Sequence, residues 1–343
     1  MTHCRFLLGK AGGALFTVGF VLVLNFFLFR ILPGDPARAG VRDPRLTQES
    51  QAAIRARFGL DKPVINGIEH VNPLRLGSFT VNPLDTQFFI YLRNLLQGNL
   101  GISYHRNRPV TELLKDRLCN TVLLVGSGQL LALVIGIALG AAAAWKSRTA
   151  IDYGALVGSL VAWSMPTFWL GMVLLFWGSR WLGLPIGGMI TPGASFANPW
   201  DAWTDVALHM VLPVLTQTIV YVAEYVLIMR TTMLDVLSED YILTAKAKGL
   251  STFQILKDHA LKNAALPIVT IVALNLGFTV AGAIQVEIVY SWPGLGQAIY
   301  ESVVRRDYPM LQGVFLLLAV SVVFANLLAD LLYSYLDPRV RTA

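Results

Sequence analysis

Charge is scarce in this chain. Of its 343 residues only 14% are Asp, Glu, Lys or Arg, against 55% hydrophobic, where a soluble domain carries about a quarter charged residues. That excludes an ordinary soluble domain, and with several apolar runs of about 20 residues it points to a polytopic membrane protein. Cysteine is scarcer still. Cys4 and Cys119 are the only two, and on the topology below they fall on opposite sides of the membrane, so they form no disulfide framework and no metal spacing. The histidines His3, His70, His105, His209 and His259 are dispersed and mostly in loops, and neither HExxH nor CxxC occurs. No G-x-x-x-x-G-K-[ST] occurs either, so the chain has no P-loop of its own. An intramembrane hydrolase would need a nucleophile and a base at mid-membrane, and the histidines are misplaced for that. The net charge of +6 is modest for this length and fits positive loops facing the cytoplasm better than nucleic-acid binding.

What is present is a series of apolar runs. The first, Ala11 to Leu32, follows Arg5 and Lys10 as a signal peptide would. It is too long for a signal h-region and no small-x-small cleavage site follows, so a retained helix is expected, ending at Pro33-Gly34-Asp35-Pro36. Residues 33–117 are too charged and too rich in Pro, Asn and Arg to span, and form a sizeable external region between the first two spans. Within it Leu46 to Leu60 reads as a helix with Thr47 as N-cap. Asn72-Pro73 and Asn82-Pro83 favour turns, and Phe88 to Leu96 and Pro109 to Arg117 read as amphipathic helices. Five further spans are expected at Thr121–Trp145, Tyr153–Trp181 with Pro166 inside it, Val206–Met229 with Pro213, Ala264–Val286, and Leu311–Leu336. A proline inside a span is tolerated where neighbours re-satisfy the freed carbonyl, and it bends the helix. The expected fold is therefore all-α, with six transmembrane helices: an N-terminal tip and first span at 1–32, the external region at 33–117, and a core at 118–343.

Lys and Arg set the orientation. Lys146 and Arg148 lie between spans two and three, Arg230, Lys246, Lys248, Lys257 and Lys262 between four and five, and Arg339 and Arg341 in the tail. The loop between three and four has only Arg180, beside Asp201 and Asp205, and Arg305 and Arg306 in the next loop are offset by Glu287, Glu301 and Asp307. Both termini are thus expected in the cytoplasm. The arginines of 33–117 do not count against this, because long loops cross largely regardless of charge.

One polar stretch stands apart, Ser238 to Pro267, overlapping a cytoplasmic segment 231–263. Lysines and aspartates interleave with apolar residues at helical spacing (Tyr241 and Ala245, Phe253 and Leu256), and Gly249 interrupts them. The pattern reads as helix, glycine turn, helix, lying outside the bilayer. A helix pair projecting from a membrane bundle is a surface for something to push on.

Several short motifs then occur in order: Leu32-Pro33-Gly34-Asp35-Pro36, Phe58-Gly59-Leu60-Asp61-Lys62-Pro63, Gly98-Asn99-Leu100-Gly101, Arg117-Leu118-Cys119-Asn120-Thr121, Asp240-Tyr241, Thr244-Ala245-Lys246-Ala247-Lys248-Gly249-Leu250, Trp292-Pro293-Gly294-Leu295-Gly296, Asp330-Leu331-Leu332-Tyr333 and Leu336-Asp337-Pro338-Arg339. In this order and between these spans the chain resembles the inner-membrane permease subunits of binding-protein-dependent ABC importers, in the dipeptide/oligopeptide (and nickel) branch. The resemblance implies the type I importer permease fold in a bacterial inner membrane. It also implies a second related permease, two ATP-binding subunits that hold ATP and Mg, an external solute-binding protein and a peptide substrate. It implies no cofactor, metal or catalytic site in this chain. In that family the cytoplasmic loop docks into a cleft on the ATPase. Carried over to this sequence, the contact residues would be Asp240, Tyr241, Thr244, Ala245, Lys246, Ala247, Lys248, Gly249, Leu250 and Ser251. The glutamate of the general family motif falls on Leu243, and its later Leu-Pro pair on Leu261-Lys262. Two features depart from the branch: residues 64–86 look like an insertion, and Cys119 stands where a proline is usual.

Within the spans, Glu224, Arg230, Asn326 and Asp330 are candidate buried polar groups. Asn326 and Asp330 are four apart, hence on one face, and Asp330 either pairs with a base such as Arg230 or is hydrated near the cytoplasm. Glu224 either lines the substrate path, where it could meet a peptide amine, or reaches the interface from within two turns of a helix end. Gly136/Gly140 and Gly154/Gly158 have the small-xxx-small spacing of close helix packing. Trp145, Trp163, Trp169, Trp177 and Trp181 suit an interfacial belt facing lipid. Nickel in place of peptide is the alternative substrate within the resemblance. A secondary transporter is the alternative outside it, against which stand the missing pair of broken helices and the thin supply of paired acids.

Overall fold

The computed structural model describes residues 2–31, 64, 68–71, 74–76, 86–265, 267–269, 271–272, 275 and 284–336. Side chains are described from residue 9 to 29 in the first helix and up to residue 328 in the last. In chain order the elements are α1 (Thr2–Ile31), β1 (Ile68–Val71), β2 (Leu74–Leu76), α2 (Gln87–Leu96), α3 (Val110–Trp145), α4 (Ala150–Ser164), α5 (Thr167–Leu182), α6 (Pro199–Leu237), α7 (Asp240–Ala247), α8 (Thr252–Gln254), a π-helical stretch Ile255–Leu261, α9 (Lys262–Ala264), α10 (Ile284–Val289), α11 (Leu295–Arg305) and α12 (Tyr308–Leu336).

The fold is that of a helical membrane protein. Four helices, α1, α3, α6 and α12, are long and apolar enough to cross a bilayer, and α4 with α5 makes a fifth candidate bent by 101°. The bend falls at Met165-Pro166, where the ring removes a backbone donor and disfavours helix for the residue before it. The expected fifth span, Ala264–Val286, lies mostly outside the described residues, as does the expected helix Leu46–Leu60. Beside the helices there is one short antiparallel hairpin, β1–β2, whose strands lie on either side of Asn72-Pro73 in sequence.

Two compact units divide the chain, Met1–Cys119 with Gln297–Phe324, and Asn120–Gly296 with Ala325–Ala343. In the first unit Asp307 is the organising residue. It caps the start of α12, accepting from Met310 N and, through its own carbonyl, from Leu311 N, where the helix dipole favours an acid. The same carboxylate takes Ser103 Oγ, Tyr104 N and His105 N, so it also fixes the 103–108 turn. Glu301 on α11 binds Arg106 at 2.8 Å and Arg117 at 3.6 Å, and Arg117 also donates to Gln297 Oε1 at 2.8 Å. Burial raises the Tyr91 hydroxyl of α2 to about 12, so it is neutral at physiological pH.

In the second unit α3 and α6 lie against each other. A methyl on Gly128, Gly136 or Gly140 would come within 2.7 Å of the Cβ of Gln217, Tyr225 or Met229 respectively. Each glycine faces the residue 89 positions later, so the two helices run parallel, with backbones as close as small residues allow. Two parallel spans need one return crossing between them, and α4–α5 supplies it despite its bend. Gly154 and Gly158 have open space around them. Trp163, Trp169, Trp177 and Trp181 are exposed, with Trp177 stacked on Trp181.

The Trp292–Gly296 motif also belongs to the second unit and wraps a buried acid. Glu287, fully buried, accepts from Thr121 Oγ1 at 2.7 Å, and any side chain at Gly294 would overlap its carboxylate. Trp292 Nε1 donates to Asn120 O, Asn120 Nδ2 to Pro293 O, and Leu295 N to Thr121 Oγ1. Two motifs 170 residues apart in sequence are thereby explained as one joint.

Candidate coupling site

The segment after α6 is a stiff elbow. Helix α7 ends in a Schellman motif: Gly249 N donates to Lys246 O at 3.0 Å and Leu250 N to Ala245 O at 3.3 Å. This closure needs a residue in the left-handed region, and Gly249 has φ +77°. Two residues later Ser251 starts α8 with a capping box, Ser251 N donating to Gln254 Oε1 at 2.9 Å and Gln254 N to Ser251 Oγ at 3.4 Å. The corner between the helices is therefore defined at both ends by local hydrogen bonds.

Beneath the corner, Ile242, Ala245, Ile255, Ala260 and Ala264 are buried in one cluster with Tyr225, Met229 and Met233 of α6. Thr232 Oγ1 on α6 bonds Ala264 O at 3.1 Å, and Asn263 Nδ2 reaches Tyr241 Oη at 3.1 Å. A force on the elbow thus acts on the end of α6 through packed side chains.

Of the residues expected on the contact surface, Asp240, Tyr241, Thr244, Lys246, Ala247, Lys248, Gly249 and Ser251 are exposed and Leu250 is half-buried. Ala245 is 4% exposed and sits on the inner side; its small side chain lets α7 approach the cluster. Sequence reasoning missed two members of the outer face, Leu243 and Phe253, each 68% exposed. In the sequence Phe253 shows only a helical spacing to Leu256, which does not say which way it faces. The signal available was Leu243 itself, an apolar residue where the general motif places an acid. Among the described residues, none of Lys246, Lys248, Lys257 and Lys262 is in an ion pair.

The candidate groups in the spans separate. Arg230 forms a two-pronged pair with Asp152 of α4, Nε to Oδ1 at 2.5 Å and Nη2 to Oδ2 at 3.0 Å, and Arg148 N also donates to Asp152 Oδ2. The partner of Arg230 is thus on α4, a residue the sequence did not single out, while the side chain of Asp330 lies outside the described residues. Asn326, expected to face the bundle, is exposed on α12. Glu224 is half-buried and accepts from Asn275 Nδ2 at 3.3 Å. Asn275 Nδ2 also lies 3.3 Å from Tyr225 Oη, which donates to Gln129 Oε1 at 2.8 Å. Gln129, Tyr225 and Asn275 were visible only as polar atoms inside apolar runs.

The sequence matches the family of binding-protein-dependent transport system inner membrane components over residues 136–342, and that family's N-terminal region over residues 3–125. It is 35% identical to a putative peptide permease protein of Brucella suis biovar 1, covering 93% of each chain. It is 34% identical to the dipeptide transport system permease protein DppB of Escherichia coli K12, covering 98% of each. It is 35% identical to the oligopeptide transport system permease protein AppB of Bacillus subtilis, covering 93% of this chain and 94% of that one. With its bundle of apolar helices, parallel α3 and α6, and a polar elbow hung from α6, this chain belongs to the family of inner-membrane components of binding-protein-dependent transport systems.

Proposed function

We propose that this chain is a pore-forming permease subunit of an ATP-driven importer of di- or oligopeptides. The observation that carries the reading is the elbow, a corner with an outward face of lysines in no ion pair among the described residues and of exposed apolar side chains, joined to α6 through a packed cluster. Its relatives named for peptide and dipeptide transport support the substrate class. The positive residues of 231–263 and the parallel course of α3 and α6 support a cytoplasmic elbow and cytoplasmic termini.

In this reading two permeases face each other, this chain and a related second one, and each elbow seats on one ATPase subunit. A substrate-loaded binding protein engages the external side. ATP and Mg are held by the ATPases, and the chain itself catalyses nothing. Closure of the ATPases moves the elbows, and the Met229–Met233 packing carries that motion into α6, a rigid-body shift of the kind packed interfaces transmit. The path needs little affinity of its own when the binding protein discriminates.

The test is co-purification with transport. Capture of this chain is expected to bring down ATPase subunits, and a bulky residue at Gly249 is expected to uncouple ATP turnover from uptake. Wild-type transport in that variant, or peptide uptake by the isolated chain that follows the proton gradient without ATP, contradicts the reading.

A further inference from the structure

Glu224 is placed by the helix pairing. Since each α3 residue faces the α6 residue 89 positions later, Glu224 is level with Ile135, ten residues before the end of α3 at Trp145. Ten residues of helix are ~15 Å, and along α6 Glu224 lies six residues, ~9 Å, further in than Arg230, the interfacial charge that is already held by Asp152.

At that depth the acid has little compensation. Among the described residues no cation lies within ion-pairing distance of Glu224, and its one hydrogen bond is the long 3.3 Å contact from Asn275. Its neighbours Tyr225, Asn275 and Gln129 form a chain of hydrogen bonds that stays neutral. Beside Tyr225 and Asn275 opens a mainly apolar groove of about 290 Å³, lined by Gly126, Gln129, Leu130, Leu133, Tyr225, Val272 and Asn275. A half-buried acid without a cation inside an apolar span is expensive and marks a site by default. The neutral amide and hydroxyl groups around it suit the peptide bonds that follow a charged end.

We infer that Glu224 is a transit site for the α-ammonium group of the passing peptide. This inference rests on the peptide-importer reading. The carboxylate supplies the counter-charge, and Tyr225, Asn275 and Gln129 supply hydrogen bonds to the first peptide units. The 3.3 Å contact with Asn275 is weak enough to be exchanged for the ligand and remade. Because α6 also carries the elbow, the site moves with the ATPase-driven element, so the ammonium is held in one state and released in the other.

The test is ATP-driven uptake of a dipeptide by proteoliposomes holding the complete importer, with its binding protein outside, for wild type and for E224D, E224Q and E224K. The expected order of maximal uptake is wild type, then E224D within about threefold, then E224Q down about tenfold, then E224K with none measurable. Co-purification of all subunits is measured for each variant. E224Q within twofold of wild type, E224D as impaired as E224Q, or failure of E224Q to assemble would each assign Glu224 a packing role and overturn the inference. Absence of ATP-driven peptide uptake by the wild-type complex overturns the importer reading and this inference with it.

Discussion

Two polar surfaces of this molecule invite the same first impression and turn out opposite. One is the 103–117 segment with α11 and the start of α12; the other is the elbow at 240–263. Both are rich in charge and both border apolar helices. In the first, Asp307 collects Ser103, Tyr104, His105 and Met310, and Glu301 collects Arg106 and Arg117. Its arginines Arg106, Arg108 and Arg117 are each paired with Glu301 or Glu112, and its chemistry is that of a clamp. In the elbow the hydrogen bonds are spent on the corner itself, the buried side is apolar, Leu243 and Phe253 are exposed, and the outer lysines are in no ion pair among the described residues. A charged surface that satisfies itself is structure, whereas one that is stiff and unsatisfied is an interface. The number of charges does not separate the two; the partners do.

Four substitutions can break or sharpen that contrast. Asp307→Ala strands the buried donors Ser103 Oγ and Met310 N and two partly buried backbone donors, and should lower the stability of its unit by about 3 kcal/mol. The readout is a lower thermal unfolding midpoint in detergent with ATPase co-purification retained at low temperature. Gly249→Trp meets open space, so its cost is backbone strain of roughly 1–2 kcal/mol. Uptake should fall about tenfold or more while the unfolding midpoint barely moves. Phe253→Ala removes an exposed aromatic whose only expected partner is the ATPase, and should weaken subunit association about fivefold, near 1 kcal/mol, with no loss of stability. Arg108→Ala breaks a pair with Glu112 at 3.2 Å in which both side chains are more than half exposed. It should change stability by less than about 0.5 kcal/mol. If Asp307→Ala proves harmless and Arg108→Ala does not, the first surface is an interface too.

Much of the bundle was legible because hydropathy and helix share a cause. Apolar runs located α1, α3, α6 and α12, and Pro166 located the break between α4 and α5. Helix α3 runs unbroken from Val110, joining the expected helix Pro109–Arg117 to the expected span Thr121–Trp145, and α6 runs beyond its expected span, from Pro199 to Leu237. Backbone hydrogen bonding continues through Glu112, Lys115, Asp116 and Arg117, where hydropathy has already stopped. The elbow was legible through Gly249 and its flanking lysines. Which of its residues face inward was not, because α7 is only 8 residues long and two turns carry little periodicity. The Asp152–Arg230 pair and the Gln129–Tyr225–Asn275 chain join positions far apart in sequence, and no local pattern announces such contacts.

The central claim is that the elbow faces the cytoplasm and is gripped by an ATPase. It is tested most directly with Phe253→Cys in a chain whose Cys4 and Cys119 are serine. The account predicts that a membrane-impermeant maleimide leaves this cysteine unmodified in intact cells and labels it in inverted vesicles, and that a short bifunctional thiol reagent links it to the ATPase subunit. Labelling from outside intact cells would contradict it.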